Sequence, residues 1–508
     1  MRTKRVAYNT ISRLLLAVVA AISGLIIPRL ILSHFGSDYY GVITSIAQFM
    51  SYVSVLALGA YSVTQSALYK PLSDGDVFSV SKIVRASEVF MRKIAFIFVA
   101  VVAGFAILYP LLVIDDFEWS FTFTMILILG VGPFFQYYLW YSYCALLEAD
   151  QRGYVIIIAQ ICALLINVVI VASMIISGHI IQIVYLVNVT ILVMPSFFIY
   201  FYTRKHYRLI KPVEPDSDAI KQRWDAFAHQ VSVFVRTNMD IIIVTFFLGV
   251  LEVSVYAVYF FVLRNISTII ASFIGPGVTA AFGNMLAKNE EKNVQDTLRF
   301  YEFLVNSLAT LLYTCAALLI VQFVTVYTSG VYDVNYYRPV FGYLVCVSLF
   351  TQVLRTPYES VVYAAGHFKQ TRNGAIVEAV IQVAISITLI NFLGLVGVAI
   401  GAICAAVFRT VQYAMYVSKN IVERSTWTAI KKFVLSLTSA GVIVLIVRNL
   451  PGMTDINYLA WILYALAVFA IALSVTVVTA IAFYRNESAM LFKGLLKVVN
   501  KNATGSEY

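Results

Sequence analysis

Apolar residues fall into fourteen blocks along the chain, separated by short stretches that carry most of the charges, prolines and glycines. A block of about 20 apolar residues is long enough to cross the hydrocarbon core of a bilayer, and as a helix it satisfies its own backbone hydrogen bonds there. The pattern predicts an all-α polytopic membrane protein. Its fourteen spans are expected at 11–33, 39–67, 94–114, 119–147, 154–176, 180–202, 225–248, 253–281, 300–327, 339–365, 375–392, 396–416, 433–447 and 459–483. The first block has no convincing small-residue cleavage site after it and is read as a retained helix. The longest polar stretch, 203–224, contains Pro212 and Pro215 and divides the chain. This gives an N-terminal six-span unit over 1–210, a second over 211–417, and two further spans with a tail over 418–508.

The two six-span units carry traces of repetition. Tyr40 and Tyr256 each follow the turn after the first span of their unit, and Ala149 and Ala365 each follow the fourth; both pairs are 216 residues apart. Because six is even, both copies enter the membrane from the same side, as parallel repeats do. Two polar segments, 81–93 and 489–499, have the alternation of amphipathic surface helices.

Composition and charge narrow this picture. Hydrophobic residues make up 61% and charged residues 12%, which leaves no polar segment long enough for a separate soluble domain. The net charge of +10 would suit a nucleic-acid binder, but its distribution answers otherwise. Of the 36 Lys and Arg residues, 28 fall in loops on the side of the N-terminus and two, Arg338 and Arg448, on the other. That asymmetry is the positive-inside rule, so both termini are expected in the cytoplasm and no nucleic-acid partner is needed. The five cysteines lie inside apolar blocks at no metal-ligand spacing and read as small core residues. No phosphate-binding Gly-rich loop and no nucleophile with a base stand out, so neither an enzyme nor a bound cofactor or metal is expected.

The remaining six arginines, Arg13, Arg29, Arg236, Arg264, Arg355 and Arg409, lie within spans. Arg13 is near enough to the cytoplasmic end to snorkel. A charge deeper in the bilayer costs roughly 2.5–3.5 kcal/mol, so it faces protein or water rather than lipid. Arg29, Arg236 and Arg264 lie on the opening spans of the two units, with Asp240 four residues after Arg236. Paired N–H groups suit phosphate oxygens, and three arginines against one aspartate give a site for a pyrophosphate or sugar acid. Asp240 is expected to orient Arg236. Arg355, Glu359, Glu378 and Arg409 read as structural pairing in the second unit, although Asp240, Glu359 or Glu378 could carry a coupling H+ or Na+. His229 is interfacial, the aromatic run 134–141 suits packing and lipid contact, and Gly397 and Gly401 have small-residue spacing for helix contact.

An ordered set of short matches resembles a known group. It comprises Lys4-Arg5 and Asn9 before the first span, Pro28-Arg29 within it, Phe35-Gly36 and Tyr40-Gly41 after it, and Leu68-Tyr69-Lys70-Pro71-Leu72. It continues with Asn238-Met239-Asp240-Ile241-Ile242, Phe247-Leu248-Gly249, Val253-Ser254-Val255-Tyr256 and Ala364-Ala365-Gly366-His367-Phe368. The chain is similar to the Wzx-type polysaccharide flippases of the multidrug/oligosaccharidyl-lipid/polysaccharide (MOP) exporter superfamily. The resemblance implies two pseudo-symmetric six-helix lobes in a V shape plus two C-terminal helices, with spans one, two, seven and eight lining a cavity that opens alternately to either side. It implies export of undecaprenyl-pyrophosphate-linked oligosaccharide across the bacterial cytoplasmic membrane, with the pyrophosphate on Arg29, Arg236 and Arg264. Polysaccharide polymerase and glycosyltransferases would be partners. In the related lipid II flippases an acidic residue follows the first-span arginine; Leu30 stands there here, which argues against lipid II. The alternatives are an ion-coupled multidrug or small-molecule antiporter of the same superfamily and a membrane glycosyltransferase or ligase, which would need a larger outer loop.

Overall fold

The computed structural model describes residues 2–111, 117–210, 213–216, 238–274, 278–450 and 457–491. Its described residues form helices and no strand. In chain order the helices are α1 (Arg2–His34), α2 (Ser37–Met50), α3 (Ser54–Asp74), α4 (Val77–Leu108), α5 (Trp119–Phe135), α6 (Tyr141–Ala149), α7 (Gly153–Ile176) and α8 (Ile181–His206). There follow α9 (Asn238–Leu248), α10 (Val250–Ile274), α11 (Val278–Ala287), α12 (Glu291–Tyr327), α13 (Pro339–Leu354) and α14 (Thr356–Ala364). The last four are α15 (Phe368–Leu393), α16 (Leu395–Asn420), α17 (Trp427–Val447) and α18 (Tyr458–Phe483).

Among the described residues, 12 helical stretches are long and apolar enough to cross a membrane, and the chain is a multi-pass membrane protein. The two other expected spans account for the difference from fourteen. Span two is divided into α2 and α3 by a short 3-10 turn at Ser51–Val53, and of span seven only α9 falls among the described residues. Helix starts repeat along the chain: those of α4, α6, α7 and α8 (Val77, Tyr141, Gly153, Ile181) recur at α12, α14, α15 and α16 (Glu291, Thr356, Phe368, Leu395), each 214 or 215 residues later. Both fourth spans are interrupted. A π-helical segment, Gln136–Trp140, follows Pro133 between α5 and α6; Arg355 separates α13 from α14. A proline cannot donate its backbone hydrogen bond, which favours such a break.

The chain forms two compact units. Unit 1 comprises Met1–Val258 with Gly330–Asn335 and Ile387–Leu395, and unit 2 comprises Tyr259–Ser329, Tyr336–Ser386 and Val396–Tyr508. The core of unit 1 is built from the inward faces of α2, α4 and α5, where Ile46, Ala95, Phe98, Met125 and Ile126 are almost fully buried. Segment 81–93, expected at the membrane surface, is instead the first half of α4. Val80, Ile83 and Val84 pack with Leu68, Tyr143 and Leu146, because burial of those apolar side chains outweighs what an interface would offer. Unit 2 has a satellite core in which α12 packs with α17 and α18 through Leu311, Leu319, Ile443 and Val468. At Gly401 a Cβ would lie 2.3 Å from the Ser386 hydroxyl oxygen, so α15 and α16 cross as closely as the glycine allows. Of the cysteines, Cys144, Cys315 and Cys346 are buried, whereas Cys162 and Cys404 are exposed on apolar spans rather than in the core.

Candidate functional site

Helix α9 places Asp240, and its position is fixed by contacts within unit 1. Gly41 on α2 meets the backbone of α10 so closely that a Cβ would lie 1.9 Å from the Val250 carbonyl oxygen. One turn further along α2, the Ser45 hydroxyl is 2.9 Å from that of Thr245 on α9 and accepts from the Tyr109 hydroxyl at 2.7 Å. Tyr52 donates to the sulfur of Met239 at 3.3 Å. Neutral hydroxyls thus bind α2 to α9 without adding charge to the span. Beside them is an apolar cavity of about 340 Å³ lined by Phe49, Tyr52, Phe98, Phe105 and Ile242.

Asp240 is buried at 8% exposure. The Tyr256 hydroxyl on α10 donates to its Oδ2 at 3.0 Å. Tyr256 is itself buried, and its conformation supplies Asp240 with a neutral partner. Arg236, expected to pair with Asp240, lies outside the described residues, as does His229. Arg29 is half-buried on α1, directly after Pro28. Arg264 lies further along α10, in unit 2. It is exposed within the apolar stretch Val250–Ala271, and its guanidinium carbon is 5.5 Å from the Phe260 ring centroid. An arginine left uncovered at that depth needs water or an anion, because lipid does not solvate it.

A balanced charged group lies wholly within unit 2. Arg355 donates to Glu378 Oε1 at 2.7 Å and stands 3.9 Å from Glu359. Arg409 stands 3.5 Å from Glu378 Oε2 and donates to the Thr371 carbonyl at 2.9 Å and the Tyr413 hydroxyl at 2.8 Å. Tyr363 donates to Glu359 at 2.7 Å. Two arginines and two carboxylates balance, and they join α13, α14, α15 and α16. Arg355, Glu378 and Arg409 are each no more than 4% exposed. Removing charge from either side would leave a buried ion uncompensated.

Two clusters escaped the sequence reading. Glu302, 1% exposed near the start of an apolar run in α12, receives Arg424 through two donors and Lys432 at 2.6 Å. Burial alone would lower the pKa of Arg424, which lies in the loop before α17; the hydrogen bond and charge of Glu302 outweigh it and raise it. Glu88 on α4 is held by Arg85 at 3.0 Å and by the Tyr143 hydroxyl. A single acidic residue at the edge of an apolar block was the available signal for Glu302. Its partners are 122 and 130 residues away, which no local spacing reveals.

The fold has known counterparts. It is similar to that of a lipid II flippase, MurJ, in an inward closed conformation, with a TM-score of 0.71 and 15% identity over 93% of this chain and 99% of that one. It is also similar to an inward-facing multidrug resistance MATE family transporter of the MOP superfamily, with a TM-score of 0.62 and 15% identity over 81% of this chain and 98% of that one. A eukaryotic MATE transporter matches with a TM-score of 0.59 and 12% identity over 85% of this chain and 98% of that one. The chain shares its fold with these solved structures. No model of a known protein family matches it, and no curated protein matches it in sequence. Within this fold, the Asp240–Tyr256 contact and exposed Arg264 are distinct from the balanced cluster around Glu378.

Proposed function

We propose that this protein is a flippase that exports undecaprenyl-pyrophosphate-linked oligosaccharide repeat units across the bacterial cytoplasmic membrane, by alternating access, for cell-surface polysaccharide assembly. The observation that carries the reading is the extent of the structural likeness. The lipid flippase spans 93% of the chain and the MATE transporters 81% and 85%, a difference comparable with part of the segment 418–508 that holds α17 and α18. Arg264 supports it further, as an exposed cation at bilayer depth suited to phosphate oxygens.

On this reading Arg29, Arg236 and Arg264 contact the pyrophosphate and the prenyl chain stays in lipid. Both termini are cytoplasmic, and a polysaccharide polymerase and glycosyltransferases are partners. Moving about two negative charges outward across an inside-negative membrane is favourable by roughly 2.3 kcal/mol per charge per 100 mV. Asp240, which accepts from Tyr256, carries the coupling H+ or Na+ on this reading; Glu359 and Glu378 sit with Arg355 and Arg409. Leu30 after Arg29 favours an oligosaccharide repeat unit over lipid II.

The test is translocation of a fluorescent lipid-linked oligosaccharide in proteoliposomes. Wild-type protein should move it, and Arg264→Ala should slow it by at least about tenfold, the equivalent of about 1.4 kcal/mol, with insertion unchanged. Equal rates for the two would remove Arg264 from the site. The second reading, a cation-coupled antiporter, is favoured by the MATE likeness. Efflux of a cationic dye that needs Asp240, together with no lipid movement, would establish it instead.

A further inference from the structure

Unit 2 contains a second large cavity, of about 340 Å³, between α16 and α17 with α12 to α14 behind it. Its mouth is apolar and open. Val407, Val411 and Met415 of α16 and Ile430 of α17, all lining it, are 42%, 50%, 55% and 48% exposed. The hydroxyl group of Thr410 on its wall is already donated to the Thr351 carbonyl at 3.1 Å. Water therefore gains few hydrogen bonds there.

The depth of the cavity identifies what reaches it. Its α17 wall runs from Thr426 to Phe433, roughly 10 Å by helical rise. Half of a bilayer's hydrocarbon core is about 15 Å. That wall lies within one leaflet's depth of the 418–432 end, while on α16 the lining extends back to Val407, about 20 Å from Asn420 by helical rise; the chain that fills the cavity enters from that leaflet. The same end is basic. Lys419 closes α16 and Lys431 sits in the first two turns of α17; both are exposed. The Lys431 ammonium lies 5.9 Å from the ring of exposed Trp427, an aromatic residue suited to headgroup depth. Arg424 and Lys432 share Glu302 and leave one positive charge in excess, against which stands exposed Glu423. The balance at this end is positive.

The geometry points to a binding site for an anionic diacyl phospholipid of the leaflet that faces loop 418–432, with one acyl chain in the α16–α17 cavity and the headgroup phosphate at Lys419 and Lys431. It stands apart from the transport reading, since none of its residues is among the pyrophosphate contacts. Its occupant is a resident lipid of the bilayer.

The test uses the full-length protein, stripped of lipid in detergent and titrated with phosphatidylglycerol or phosphatidylcholine. Bound lipid is counted by native mass spectrometry. Phosphatidylglycerol should bind more tightly, and Lys419→Gln and Lys431→Gln should each reduce its affinity by about fivefold, bringing it towards that of phosphatidylcholine. Ala414→Trp, which fills the cavity, should abolish retention of both lipids. Equal binding of the two lipids by the wild type, or a preference that survives both lysine changes, would overturn the assignment. So would displacement of phosphatidylglycerol by an equimolar polyprenyl phosphate, which would make the cavity part of a transport route. If Ala414→Trp does not fold, the lysine variants decide alone.

Discussion

Asp240 and Glu378 are both carboxylates buried inside spans, one met by a hydroxyl and the other held by two arginines. Glu378 is gripped by Arg355 at 2.7 Å and Arg409 at 3.5 Å, and those arginines are tied to Glu359, Thr371 and Tyr413. Asp240 is met by the hydroxyl of Tyr256 at 3.0 Å, and on the same helix Arg264 remains exposed. A balanced set of buried ions is costly to disturb and so holds helices in place. Loss of one hydroxyl donor at Asp240 is a smaller disturbance than loss of an ion from such a set.

The comparison can be broken most forcefully at Glu378. Glu378→Ala strands two buried arginines and should cost about 3–5 kcal/mol, seen as loss of monodisperse protein in detergent and a large fall in unfolding temperature. A small fall would mean that Glu378 is not a structural centre. Tyr256→Phe removes one hydrogen bond to Asp240 and should cost about 1.5 kcal/mol, while shifting the ion dependence of transport; an unaltered ion dependence would separate Asp240 from coupling. Arg264→Gln should change stability by no more than about 0.5 kcal/mol and yet depress flux strongly, the reverse of Glu378→Ala. A matching loss of stability would place Arg264 with the structural charges.

The smallest effect sharpens the contrast from outside the membrane. Asp76 caps α4 by accepting from the Ser79 amide at 3.0 Å and the Ser79 hydroxyl at 2.5 Å, and these bonds hold its carboxyl below the ordinary value of 3.8. Because the folded value is the lower one, its stabilisation is present in full above pH 3.8 and is lost as pH falls through the folded value. The stability difference between wild type and Asp76→Ala should therefore be constant near neutral pH and shrink below that point. A difference that is constant down to strong acid would mean that the carboxylate charge contributes nothing.

Much of the architecture was legible because bilayer thickness imposes a length on apolar runs. The expected span 459–483 meets a helix at Tyr458–Phe483, and 154–176 meets Gly153–Ile176. The 216-residue offset read from Tyr40 and Ala149 is within two residues of the helix repeat. Charge partners were not legible in the same way. Spacing put Arg355 near Glu359, but Glu378 and Arg409 are brought to it by helix packing, and Glu302 meets Arg424 only because α12 and the loop before α17 converge. The break at Ser51–Val53 also left no mark in an apolar stretch without proline.

The contact at Gly41 has a consequence for how the molecule can vary. What lies opposite is the carbonyl of Val250, and a carbonyl cannot swing aside as a side chain can. Even a methyl group at position 41 would have to move a whole helix or the turn at Gly249 that joins α9 to α10. The crossing of α2 and α10 therefore works as a bearing of backbone against backbone. Substitution elsewhere in this region can be absorbed by rotamers, but here sequence drift is arrested by bond geometry itself.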